Sequence, residues 1–72
     1  MTVERAHQLA AERMPVWCNV RDGLHMQRIP CKRIVAVGTK YTDQGHIHFV
    51  RAKCKNGQAE IETKVQDCEE ML

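Results

Sequence analysis

The chain has 72 residues, 43% apolar and 28% charged, with one Trp, one Tyr and one Phe; this is a single domain near the lower size limit for a self-sufficient core, and that core must be mostly aliphatic. Eleven Lys and Arg against nine Asp and Glu leave a formal charge of +2, far from the basic excess of a dedicated nucleic-acid module. No stretch approaches the ~20 apolar residues of a membrane span, and MTVERAHQLAAERM at the N-terminus lacks the apolar centre of a secretory signal. The expectation is one cytoplasmic domain over residues 1–72, off the membrane, with Cys18, Cys31, Cys54 and Cys68 held as thiols in a reducing compartment.

Thr2 can cap a helix, Glu4 suits its first turn, and Val3, Ala6, Leu9, Ala10 and Met14 share one face at helical spacing, so the pattern predicts a helix over 2–14 closed by Pro15. The period then changes to alternation, with Val16, Cys18 and Val20 on one side and Trp17, Asn19 and Arg21 on the other, predicting a strand over 16–21. Arg21-Asp22-Gly23 reads as a three-residue hairpin loop with Gly23 left-handed, which sets Val20 against Leu24, Cys18 against Met26 and Trp17 against Gln27 in a second strand over 24–29. Pro30 lacks an N–H and should bend or break the sheet before a third strand over 32–38, whose Ile34-Val35-Ala36-Val37 run suits a strand covered on both faces and lying under the helix. Residues 39–45, TKYTDQG, read as an exposed loop.

Asn56-Gly57 between two alternating runs is a strong hairpin signal, because both central residues of a type I′ turn take positive φ. Strands over 46–55 and 58–66 then pair Cys54 with Ala59, Ala52 with Ile61, Val50 with Thr63 and His48 with Val65 on an apolar face. Lys53 opposes Glu60 and Arg51 opposes Glu62 on a charged one, which also receives Ile47 and Phe49. A bulge, a bend or an apolar patch presented to a partner would account for those two side chains. The class is α+β: an N-terminal helix on a small, strongly bent antiparallel sheet of four or five strands. The sheet either closes into an SH3-like or Sm-like barrel or stays open with the helix across one face.

The function classes narrow mainly by exclusion. There is no serine for a serine nucleophile, and no Gly-rich phosphate loop, His-Glu-x-x-His or EF-hand pattern. Glu60 and Glu62 face cross-strand bases, and Glu69 and Glu70 sit near a C-terminus expected to fray. A zinc site would have to gather His25, His46 and His48 with Cys31 or Cys68, without any Cys-x2-Cys knuckle, so neither metal nor other cofactor is expected. The reading is a non-enzymatic regulator or inhibitor that docks on another protein through a sheet edge or an apolar patch containing Trp17, Ile47 and Phe49. The alternative is an RNA- or DNA-binding small barrel using Arg28, Lys32, Arg33, Lys40 and Tyr41, which fall in the basic middle of the chain. Pairing of free sheet edges would also suit a homodimer.

Overall fold

The computed structural model describes residues 1–71. Helix α1 (Val3–Ala11) begins where the sequence indicates: the Thr2 hydroxyl accepts the Arg5 N–H at 3.1 Å. It ends sooner than the apolar stripe suggests, and not because of Pro15. Arg13 adopts φ 55°, its N–H donates to the Ala10 carbonyl, and the Met14 N–H donates to the Leu9 carbonyl. These two bonds form a Schellman motif with arginine in the left-handed position usually given to glycine. Met14 therefore leaves the stripe and is exposed, while Ala6 and Leu9 are buried.

Five strands follow: β1 (Val16–Asp22), β2 (His25–Thr42), β3 (Gly45–Cys54), β4 (Glu60–Lys64) and β5 (Cys68–Glu70), with a 3-10 turn at Val65–Asp67 between the last two. They form one antiparallel sheet in the order β4-β3-β2-β1-β5. The 3-10 turn thus carries the chain from one edge of the sheet to the other. The sheet curls around its inner face but does not close into a barrel, since β4 and β5 are not neighbours in it. Val16, Cys18, Cys31, Ile34, Val50, Ala52, Val65 and Cys68 line that face and pack with Ala6 and Leu9 of α1 into a core without a fully buried aromatic ring.

Several local expectations are corrected. The predicted strands over 24–29 and 32–38 are one strand that runs on through residues 39–42, which had read as loop. Pro30 is accommodated because its carbonyl accepts the Lys55 N–H at 3.1 Å. Its ladder side therefore faces the place where β3 ends, and the missing N–H removes little. The bend comes just after it, at register shifts between Cys31 and Arg33 and between Ile34 and Ala36. The β1–β2 register also differs: Asp22 opposes His25 and Gly23-Leu24 makes the turn, so Val20 faces Gln27, Cys18 faces Ile29 and Val16 faces Cys31. Gly23 is left-handed as expected, at φ 63°. Apolar matching beside the turn yields to burial further along, where Ile29 and Cys31 reach the core and leave Leu24 and Met26 exposed.

The β3–β4 register agrees with the sequence, pairing Lys53 with Glu60, Arg51 with Glu62, Ala52 with Ile61 and Val50 with Thr63. Its turn does not. Neither Asn56 nor Gly57 has positive φ, and the connection is closed instead by the Cys54 N–H on the Ala59 carbonyl at 2.9 Å. The His48–Val65 pair is absent because β4 stops at Lys64 and Val65 enters the 3-10 turn. Residues 68–70 do not fray: Cys68 is buried opposite Cys18, Glu69 bridges Arg28 at 3.0 Å, and Glu70 bridges Arg5 of the helix at 2.7 Å.

Arginine at a left-handed position carries a Cβ cost that glycine avoids. Arg13→Gly is expected to raise stability by roughly 0.5–1 kcal/mol in urea unfolding. The Arg5 guanidinium holds the Glu70 carboxyl below its usual range by hydrogen bond and charge. A carboxylate depressed in this way stabilises the fold above its unfolded pKa, about 4.3, and that contribution is lost as pH falls through the folded value. Glu70→Gln is therefore expected to lower stability at neutral pH and to weaken the decline below about pH 4.3, read as thermal midpoint against pH.

Candidate functional site

Alternation along the strands assigns the binding candidates to faces. Trp17 lies on the outer face of β1, opposite Pro30 and Glu69. It is half-buried, with the Arg28 guanidinium 4.5 Å from its ring centre and bridged in turn to Glu69. Phe49 lies on the outer face of β3 opposite Gly38, and its ring occupies the space that a side chain there would fill: a Cβ on Gly38 would stand 2.7 Å from Phe49 Cζ. The Lys40 ammonium is 5.1 Å from the same ring centre. Ile47, opposite Lys40, is half-buried. Trp17 and Phe49 are thus each capped by a cation rather than joined in an open apolar patch.

Glu62 of β4 accepts from both Lys40 and Arg51, the latter at 3.3 Å, and these two cations, Lys40 first, hold its carboxyl below the usual range. The pairs are exposed and worth little individually, but together they tie β2, β3 and β4 across the outer face. Arg33, Lys53 and Lys64 share that face and form no ion pair among the described residues. Lys53 therefore opposes Glu60 in register without bridging it.

The basic candidates are scattered. Arg28 and Lys40 are engaged over aromatic rings and with carboxylates, whereas Lys32 is exposed at the bulge beside Arg33. Tyr41, 85% exposed, stands opposite His46 on the other face of the sheet from Lys40. Its ring centre is 6.3 Å from that of His46, which is 5.1 Å from His48; Thr39 Oγ1 lies 3.0 Å from His48 Nδ1. His25 is at the tip of the β1–β2 hairpin, and Cys31 and Cys68 are in the core. Among the described residues, no group of three or more His, Cys, Asp or Glu is arranged to hold a metal ion.

The feature that strand patterns alone do not reveal is a seam. Among the described residues the outer edge of β4 pairs with no strand, and a groove of about 450 Å³ separates it from the β1–β2 hairpin. Asn19, Val20, Arg21 and Met26 line one side of it, and Glu62, Thr63, Lys64, Gln66 and Asp67 the other. A hydrogen bond spans the seam: the Thr63 hydroxyl donates to the Asn19 carbonyl at 3.0 Å. A short edge beside a mixed polar and apolar groove can accept an extended segment by main-chain hydrogen bonding. Comparison of the chain with protein families, curated proteins and solved structures finds no match.

No helix of the described residues is long and apolar enough to cross a membrane. The close approach at Gly38 is testable directly, since a methyl group there must displace the Phe49 ring and with it the contact to Lys40. Gly38→Ala is expected to cost about 1–3 kcal/mol, measured by denaturant unfolding.

Proposed function

We propose that this chain is a non-enzymatic binding module, a regulator or inhibitor that docks on a partner protein through the free edge of β4. The observation that carries this reading is the open seam: β4 leaves one row of backbone groups unpaired beside a groove able to hold an extended segment. Such an edge provides affinity through main-chain bonds, and the groove provides selectivity through Val20 and Met26 between the charges of Arg21, Glu62, Lys64 and Asp67. Trp17 and Phe49, each beneath a cation, act in this reading as supports that stiffen the sheet behind the edge. The reading also sets the module in the cytoplasm, a compartment that keeps thiols such as these four reduced.

A second reading has an observation of its own. On the outer face of β2, β3 and β4, Arg33, Lys40, Arg51, Lys53 and Lys64 outnumber Glu60 and Glu62, which supports an anionic partner such as RNA or DNA despite the near-neutral total.

One pair of measurements separates them. A photo-crosslinking side chain at position 64 is expected to trap one protein from cell extract, while the same group at position 41 is not. In fluorescence anisotropy, single-stranded RNA and double-stranded DNA are expected not to bind even at low salt. Binding that weakens linearly with log salt, and that is abolished by Lys32→Glu or Arg33→Glu with the fold intact, would overturn the docking reading in favour of nucleic acid. A stable dimer in light scattering with position 64 crosslinked to its own copy would assign the edge to self-association.

A further inference from the structure

All four cysteines lie on the inner face of the sheet in one cluster, with Cys18 opposite Cys68, Cys31 opposite Cys54, and Cys31 also beside Cys18. The second pair has a defined hydrogen-bonding context. The Lys55 N–H donates to the Pro30 carbonyl at 3.1 Å, one residue beyond Cys54 and one before Cys31. In an antiparallel ladder that bond flanks a non-hydrogen-bonded pair, the kind in which opposed Cα atoms approach to about 4.5 Å and side chains lie closest. Disulfides span Cα separations of roughly 4.4–6.8 Å.

Accessibility separates the two pairs. Cys18 and Cys68 are both fully enclosed, and Cys18, hydrogen-bonded to Cys68 and buried, is pushed far above the ordinary thiol range. That pair is inert to reagents in solution. Cys31 is also enclosed, but Cys54 is half-exposed at the end of β3. Its neighbour Lys53, with Arg33 opposite, lies on the outer face of the sheet, whereas Cys54 lies on the inner one.

We propose that Cys31 and Cys54 form a redox-active dithiol, at which a low-molecular-weight disulfide of the glutathione type reversibly installs a cross-link between β2 and β3. The Cys54 thiolate attacks one sulfur of oxidised glutathione, so that a Cys54–glutathione bond forms, the reagent's S–S bond breaks and one glutathione leaves as thiolate. Cys31 then gives up its proton and its contact with the Ile29 carbonyl, 3.7 Å away, and attacks the Cys54 sulfur. The Cys31–Cys54 bond forms and the second glutathione departs. The protein loses two electrons and two protons, and the reagent becomes two glutathione thiols. Burial pushes the Cys31 thiol up, which slows its attack, and the second step relies on the proximity of the Cys54 sulfur across the ladder. A bridge across such a pair ties the bulge after Pro30 to the end of β3 and holds the 55–59 connection.

The test incubates the whole chain in buffers of graded reduced-to-oxidised glutathione ratio, quenches with an alkylating agent and reads intact mass and disulfide-linked peptides. The expected result is loss of two hydrogen masses, reversed by reduced glutathione, with one linked peptide joining Cys31 to Cys54. Cys31→Ala should instead retain a single glutathionyl group at Cys54, and Cys54→Ser should show neither product. No modification of the wild-type chain, a persistent glutathionyl adduct without a bridge, or a bridge mapped to Cys18 and Cys68 would each overturn the assignment. Because the decisive mapping is made on the wild-type chain, a variant that failed to fold would not obscure the outcome.

Discussion

Val65, Gln66 and Asp67 carry the chain from one edge of the sheet to the other, and so short a connection dictates how tightly the sheet must curl. At about 2 Å of rise per residue, one turn of 3-10 helix spans only about 6 Å. The edges formed by β4 and β5 must therefore approach closely without pairing. Val65, the first residue of the turn, is buried, and Cys68, just beyond it, is buried against Cys18. The same geometry leaves the seam spanned by Thr63 and Asn19, so the proposed docking edge and the small core have one origin.

A core of valines, alanines, cysteines, one leucine and one isoleucine buries limited area, and hydrophobic stabilisation scales with area. Small side chains on the inner face have the compensating property that they let the sheet curl closely beneath α1. The larger rings are placed on the outer face. There Phe49 lies across Gly38, a position with no side chain of its own, and Trp17 lies beneath Arg28. Both rings reinforce the sheet from outside, and the cations above them shield them from water. Outer apolar residues in this chain are consequently structural supports as much as contact candidates.

The cysteines show how one residue type can serve in two environments. Cys18 and Cys68 act as small apolar side chains where β1 meets β5, both fully enclosed. Cys54 sits at the end of a strand, partly exposed, and its partner across the ladder is another thiol. Register rather than spacing in the sequence creates that pair, because 23 positions separate Cys31 and Cys54 and bends and a hairpin intervene.

Local chemistry in the sequence was sufficient for the Thr2 cap, the period-two strands, the left-handed Gly23 and the β3–β4 register, where Lys53 against Glu60 and Arg51 against Glu62 agree with the apolar face behind them. It also marked Ile47 and Phe49 as apolar residues on the charged face. Tertiary structure decided the rest. The β1–β2 register follows Ile29 and Cys31 into a core that neighbouring residues cannot sense, and Asn56-Gly57 abandons positive φ because the ladder closes through Cys54 and Ala59. Strand β5 is three residues long, too short for any period to show, and exists because β1 offers an edge that the 3-10 turn can reach. Local propensity acts over a few residues, whereas registers, edges and seams depend on which distant segments are buried together.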